Sequence, residues 1–230
     1  MSVLAIIPAA GMGLRMGGGT PKQFLSLEGT PIFVHTLRKF ARSSAVSDIL
    51  LGVRPEEMDR AAQALAPERL SKPVRLVAGG ATRQETVERA LAEAPAGTAI
   101  VVVHDAVRPF VDLESIREVV DAARRGGAAI LGIPSMDTVK QVERQTVLGT
   151  IPRERIVLAQ TPQAFRFELL SEAFARARAE GFAATDESSL VERLGAAVTV
   201  LRGSDRNIKI TNPSDLPLAR LYLAQERDAP

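Results

Sequence analysis

Five short, almost uninterrupted apolar runs punctuate the chain: Val3–Ile7, Ile49–Val53, Ala99–Val103, Ala128–Ile133 and Val198–Leu201. A strand with one wet face alternates polar and apolar residues, so continuous runs of this length predict strands buried on both faces. Between them apolar positions recur at helical spacing, as in Leu113, Ile116, Val119, Val120 and Ala123, or Val87, Ala90, Leu91 and Ala94. Each set forms one stripe along a helix. Strand and helix therefore alternate, and the expected fold is α/β, a mostly parallel twisted sheet flanked by helices in the Rossmann-like manner. No repeat, low-complexity tract or linker divides the sequence, so residues 1–230 are expected to form a single domain.

One segment breaks this rhythm. Residues 137–152 carry short polar-apolar alternation through Thr138–Glu143 and a return through Thr146–Ile151, which predicts a β-hairpin arm projecting from the sheet. An isolated hairpin has too little core to stand alone, so burial against a twofold partner, with the arm as a dimerisation element, is the expected solution. The last helix is expected from Pro213 to about Arg227, capped by Asn212 or Thr211.

Composition narrows the chemistry. The chain has 230 residues, 46% hydrophobic and 24% charged, the profile of a globular protein with a core. With no cysteine, thiolate catalysis, disulfides and cysteine-ligated metals are excluded; with two histidines, any metal is expected to sit on oxygen. The isoelectric point is about 9.3 although the net charge is only +2. Few groups titrate between neutrality and pH 9, so a slight cationic excess moves it far. With neither a Lys/Arg block nor more than 4% aromatics, nucleic acid is not an expected partner. No run is long enough to span a bilayer and no leader pattern opens the chain, so a cytoplasmic location without membrane attachment is expected.

Candidate chemistry gathers at strand ends. After the first strand comes Ala10-Gly11-Met12-Gly13-Leu14-Arg15, followed by Pro21-Lys22-Gln23. Gly11 and Gly13 let the backbone approach phosphate oxygens, and Arg15 and Lys22 supply cations, which is the layout of a triphosphate cradle. It lacks the Gly-Lys-Ser/Thr of a Walker loop, and Met16 occupies the third glycine position of the dinucleotide fingerprint. A plain tight turn is the competing reading of the glycines alone. The run His104-Asp105-Ala106-Val107-Arg108-Pro109 ends another strand, and an acid there suits Mg²⁺ beside a nucleotide phosphate, so Asp105 is the candidate metal ligand. Its competitor is a cap. His104 and His35 read as core histidines without a role. Gly79-Gly80 follows the strand-like Val74–Ala78 and offers backbone to a base or ribose, while Arg83, opening the next helix, reads equally as solvated charge.

These segments, with Asp137-Thr138-Val139-Lys140, Gln160-Thr161-Pro162-Gln163, Thr185-Asp186-Glu187 and Asn207-Ile208-Lys209, run in order along nearly the whole chain and resemble the 2-C-methyl-D-erythritol 4-phosphate cytidylyltransferases. The resemblance implies transfer of CMP from CTP to a sugar-alcohol phosphate with release of pyrophosphate, as a step toward isoprenoid precursors. It implies that Arg15 and Lys22 stabilise the transition state, that Arg153 and Lys209 position the acceptor phosphate, and that Asp105 holds Mg²⁺. It further places Ala10, Gly11, Gly13, Gly80 and Thr86 around CTP, and Arg108, Thr138, Thr161 and Thr185 around the acceptor. Arg153 is expected to reach the partner subunit's site in a homodimer. Ala81 departs from members that carry an acid after the glycine pair. Two alternatives stand beside this reading, a ribitol 5-phosphate cytidylyltransferase and a catalytically silent nucleotide-binding protein on the same fold. Lys140, and Leu158-Ala159 before Gln160, resemble the methylerythritol branch.

Overall fold

The computed structural model describes residues 2–11 and 20–228. Seven strands form the main sheet: β1 (Ser2–Pro8), β4 (Asp48–Val53), β5 (Val74–Ala78), β6 (Thr98–Val103), β7 (Ala128–Pro134), β10 (Val157–Arg166) and β11 (Thr199–Arg202). Their order across the sheet is β11-β7-β10-β6-β1-β4-β5. Every pairing is parallel except those of β10, which runs against both β6 and β7. The helices are α1 (Ile32–Arg42), α2 (Met58–Leu65), α3 (Arg83–Ala92), α4 (Leu113–Gly126), α5 (Phe167–Glu180), α6 (Glu187–Arg193) and α7 (Asp215–Asp228). A two-stranded ribbon, β2 (Ser26–Leu27) with β3 (Thr30–Pro31), leads into α1.

The continuous apolar runs follow from two-sided burial. Along β1, Val3, Ala5 and Ile7 point into a core shared with Phe33, Phe40 and Ile116, while Leu4 and Ile6 enter a second core with Val87, Leu170 and Leu190. Full burial of each such side chain contributes about 1.5–3 kcal/mol, so neither face tolerates polar residues. A third cluster, including Leu27, Ile32, Phe110 and Ile210, seats α7.

The described structure departs from the sequence pattern in three places. The strand expected over Val198–Leu201 is not buried on both faces: β11 is an edge strand, and Val200 is 48% exposed. The final α-helix starts at Asp215 rather than Pro213, because the chain before it bonds i to i+3, Asp215 N–H to Asn212 O at 3.0 Å and Leu216 N–H to Pro213 O at 3.2 Å, while the Asp215 carboxylate accepts the Thr211 and Asn212 N–H groups. Third, β10 has no counterpart among the apolar runs, because Gln160, Thr161 and Gln163 interrupt it; all three are buried in the folded chain.

The hairpin at 137–152 forms as β8 (Val139–Glu143) and β9 (Thr146–Ile151), paired only with each other. Arg144 and Gln145 turn it with φ of 43° and 72°. Val142, Val147 and Leu148 are 60%, 55% and 57% exposed, far above the apolar side chains of the sheet.

Candidate active site

β1, β5 and β6 run parallel and therefore end along one edge, and the loops that leave them converge there. After β1, Ala9 N–H bonds Gly52 O, and Gln23 Nε2 donates to Ala9 O and Gly11 O, pinning the chain on both sides of the stretch outside the described residues. Lys22 lies in a short 3₁₀ turn beside it. Gly13 and Arg15, assigned from the sequence to the phosphate cradle, fall outside the described residues.

The turn after β5 needs its glycines. A Cβ on Gly79 would lie 2.7 Å from Ala10 Cβ, and one on Gly80 2.3 Å from Glu85 Cβ, so any side chain would push α3 off the sheet. Thr86 Oγ1 accepts Gly80 N–H at 3.1 Å and donates to Thr82 O at 2.8 Å. Ala81 N–H donates to Glu85 Oε2 at 2.8 Å. The N–H groups of this turn, including that of Gly79 bonded to Val53 O, are thus spent internally. Thr86 is fully buried and acts here on the backbone.

Asp105 is the centre of the edge. Its carboxylate is 7% exposed; Oδ1 accepts Arg83 Nε at 3.2 Å, while Oδ2 accepts Arg108 Nε at 3.2 Å and Lys209 Nζ at 3.0 Å. Burial alone pushes the carboxyl up, but Arg83, Lys209 and Arg108 outweigh it and hold Asp105 far below the usual carboxylate range. Arg83 turns its Nη1 to both oxygens of Glu187, at 2.6 and 2.8 Å. Glu187 is 1% exposed, and burial raises its carboxyl against the opposing pull of Arg83.

The wall beyond comes from β10. Thr161 Oγ1 accepts Asp105 N–H at 3.0 Å, and Thr161 O accepts Asn207 Nδ2 at 2.8 Å. Gln163 donates to Asp186 Oδ2 at 2.8 Å and accepts Ser188 N–H at 3.1 Å, fixing the Thr185–Ser188 segment. The polar residues that hid β10 in the sequence are the ones that tie it to the site. His104 is fully buried; its Nε2 lies 3.0 Å from Arg108 O, burial lowers its pKa to about 4, and Nδ1 has no partner among the described residues. It braces the 104–108 turn, only half satisfied. His35, near Leu27 O, is a core group as read from the sequence.

Two clefts meet at this cluster. One is bounded by Ala10, Gly11 and Lys22, the other by Arg108, Thr161 and Thr185, and both include Arg83, Asp105 and Lys209. Gly80 and Thr86 line neither cleft; Thr86 is buried beneath Gly79, which sits against Ala10 of the first. Two further sequence candidates lie away from the cluster within one chain. Thr138 is exposed at the base of the arm, and Arg153, 56% exposed, donates to Met136 O and lines neither cleft. Arg83 and Glu187 are the converse: Arg83 read equally as solvated charge and Glu187 only stood within a motif of the resemblance, and neither received a role, because the partners of Arg83 lie 22 and 104 residues away along the chain. Among the described residues no three His, Cys, Asp or Glu side chains converge as a metal cage, and no helix is long and apolar enough to cross a membrane. Asp105 is the one carboxylate common to both clefts, so a Mg²⁺ ion there would share it with Arg83, Arg108 and Lys209 and would take its other ligands from nucleotide phosphates and water.

A family model described as 2-C-methyl-D-erythritol 4-phosphate cytidylyltransferase matches residues 3–225. The proteins of that name from Solibacter usitatus (strain Ellin6076) and Acidobacterium capsulatum are each 52% identical to this chain, covering 98% of it and 97% and 98% of themselves. Among solved structures, the 2-C-methyl-D-erythritol 4-phosphate cytidylyltransferase from Thermus thermophilus superposes with a TM-score of 0.81 at 37% identity, covering 97% of this chain and 100% of its own. The 4-diphosphocytidyl-2C-methyl-D-erythritol synthase from Anaerococcus prevotii DSM 20548 gives 0.86 at 31% identity, over 97% and 96%.

Proposed function

We infer that this chain, which belongs to the 2-C-methyl-D-erythritol 4-phosphate cytidylyltransferase family, transfers CMP from CTP to 2-C-methyl-D-erythritol 4-phosphate and releases pyrophosphate. The observation that carries the reading is the pair of clefts joined at Arg83, Asp105 and Lys209, one beside the glycine segment and one beside Thr161 and Thr185. The first suits a nucleoside triphosphate and the second a phosphorylated polyol.

A phosphate oxygen of the acceptor attacks the α-phosphorus of CTP; the new P–O bond forms as the bond to the β-phosphate oxygen breaks, and pyrophosphate leaves with the electron pair. Both reactants are anions, so the barrier is repulsion plus charge gathering on the leaving group. Preset cations meet that need, each contributing about 3 kcal/mol in a shielded site. We assign Lys22 and Arg15 to the triphosphate, with Ala10, Gly11, Gly13, Gly80 and Thr86 shaping its cleft. Arg108 and Lys209 receive the acceptor phosphate, and Thr161 and Thr185 line its cleft. Asp105 is assigned as the Mg²⁺ ligand; the ion, when bound, neutralises phosphate charge. The nucleophile is already ionised, so no general base is required, and His104, neutral and buried, is not asked to act as one.

We further assign the assembly as a homodimer in which Arg153 and Thr138 complete the partner subunit's acceptor cleft. The exposed apolar face of the arm and the absence of Arg153 from the lining of either cleft in its own chain support this. The test of the function is pyrophosphate release from CTP, UTP, GTP and ATP, each offered methylerythritol phosphate or ribitol 5-phosphate, with Mg²⁺ or with chelator. Turnover is expected for CTP with methylerythritol phosphate and Mg²⁺. A preference for ribitol phosphate, or nucleotide binding without pyrophosphate, overturns it.

A further inference from the structure

Arg83 is the first residue of α3, and its side chain is 29% exposed, yet its guanidinium spans two carboxylates on different segments. Nε touches Asp105 Oδ1 at 3.2 Å, and Nη1 touches both Glu187 oxygens at 2.6 and 2.8 Å. It is also one of three side chains shared by the two clefts. The Glu187 carboxyl is 1% exposed, in the first turn of a helix already capped by Asp186, whose Oδ1 accepts Ser189 N–H. α6 therefore does not need the Glu187 carboxylate as a cap. A buried ion pair is a poor way to stabilise a fold, since an apolar pair of similar volume often does as well or better. Its value lies in fixing a geometry.

The planar fork of arginine prefers to grip one carboxylate with two donors. Free of Glu187, Arg83 would close on Asp105 in that way and compete with Arg108 and Lys209 for its second oxygen. With Glu187 in place, Arg83 meets Asp105 through Nε and Oδ1 alone, and Oδ2 faces the two cations of the acceptor side. We propose that Glu187 and Arg83 form a positioning pair that sets the orientation of the Asp105 carboxylate at the junction of the donor and acceptor clefts. The inference rests on the cytidylyltransferase reading of those clefts.

The experiment compares Arg83→Gln, Glu187→Gln and the double variant with the full-length wild-type protein. It measures kcat and both KM values with CTP and methylerythritol phosphate, and the CTP Kd by calorimetry without acceptor. Each single change is expected to lower kcat about tenfold or more while the CTP Kd moves by less than about twofold. Because Glu187 acts through Arg83, the double variant should be no slower than the slower single one. A merely structural pair would lower the melting temperature and leave kcat of the folded fraction intact, which overturns the proposal, as do losses that multiply in the double variant. If Glu187→Gln does not fold, Arg83→Lys decides: a single ammonium cannot span both carboxylates, so its kcat should fall similarly, and a wild-type kcat overturns the proposal. A wild-type protein without turnover would instead strike at the proposed function.

Discussion

The edge of the sheet around Asp105 and the β8–β9 arm are opposites in how they satisfy their own side chains. At the edge, buried charges find partners inside the chain: one carboxylate takes three cations, and one of those cations takes a second carboxylate. In the arm, Val142, Val147 and Leu148 stand open to solvent on a ribbon that pairs with no other strand among the described residues. The first region balances its buried charges within its own subunit, even though its acceptor cleft is proposed to be finished by the partner. The second leaves apolar side chains exposed, which is the basis for proposing that a partner subunit covers them.

The sharpest way to break this contrast is to unbalance the edge. Asp105→Asn keeps the size of the side chain but removes the charge that gathers Arg83, Arg108 and Lys209. Turnover is expected to fall by a hundredfold or more, from loss of about 3 kcal/mol of fixed charge, with a cooperative melt retained. Steady-state kinetics beside thermal melting reads both. Near-normal turnover at ordinary Mg²⁺ would remove Asp105 from the chemistry.

The arm is tested by asking whether it serves a neighbour. Lys22→Ala and Arg153→Ala subunits, each inactive alone, are mixed after dissociation and reassembled. If Arg153 acts on the partner's site, each mixed dimer contains one intact site, and random pairing restores about a quarter of wild-type activity. Mixed dimers shown to be present but without recovered turnover would return Arg153 to its own subunit.

The smallest effect comes from the one histidine at the edge, which is only half satisfied. His104 is neutral in the fold with a pKa near 4, whereas in the unfolded chain it titrates near 6.5. Below pH 6.5 the unfolded state takes up a proton that the folded state refuses, so stability is lost as pH falls toward 4. Between pH 7 and 5.5 the loss should be about 1 kcal/mol in denaturant titrations, and His104→Asn should remove it from that window. An unchanged slope in the variant would assign the acid sensitivity elsewhere.

Much of the sheet was legible because two-sided burial leaves an unbroken apolar signature, as in β1 and β6. β11 carried the same signature and is nevertheless an edge strand, since a run of apolar residues records β-propensity as well as burial. β10 was invisible for the opposite reason: its centre carries Gln160, Thr161 and Gln163, whose hydrogen bonds are made only after Asp186, Ser188, Ser204 and Asn207 arrive. In the site, Asp105 and Lys22 were readable from strand-end motifs, while Arg108 and Lys209 took their roles from the resemblance. Arg83 read equally as solvated charge and Glu187 appeared only inside a motif of the resemblance, because a long-range ion pair leaves no periodic or local trace of its own. Thr138 and Arg153 were assigned through resemblance, and the single chain does not bring them to the clefts.

The reversed direction of β10 also bears on how this protein can be remodelled. Pro134, where β7 ends, pairs with Val157, where β10 begins, and Ser135 N–H reaches Ile156 O at 3.3 Å. The whole intervening excursion thus leaves and re-enters the sheet at adjacent points, like a graft on a stem. Closing such an excursion costs little more when it is longer, about 0.6 kcal/mol for each doubling of length. A protein engineer can accordingly change the length of the excursion between these two anchors while the strand order beneath them is preserved, provided Thr138 and Arg153 keep the places proposed for them.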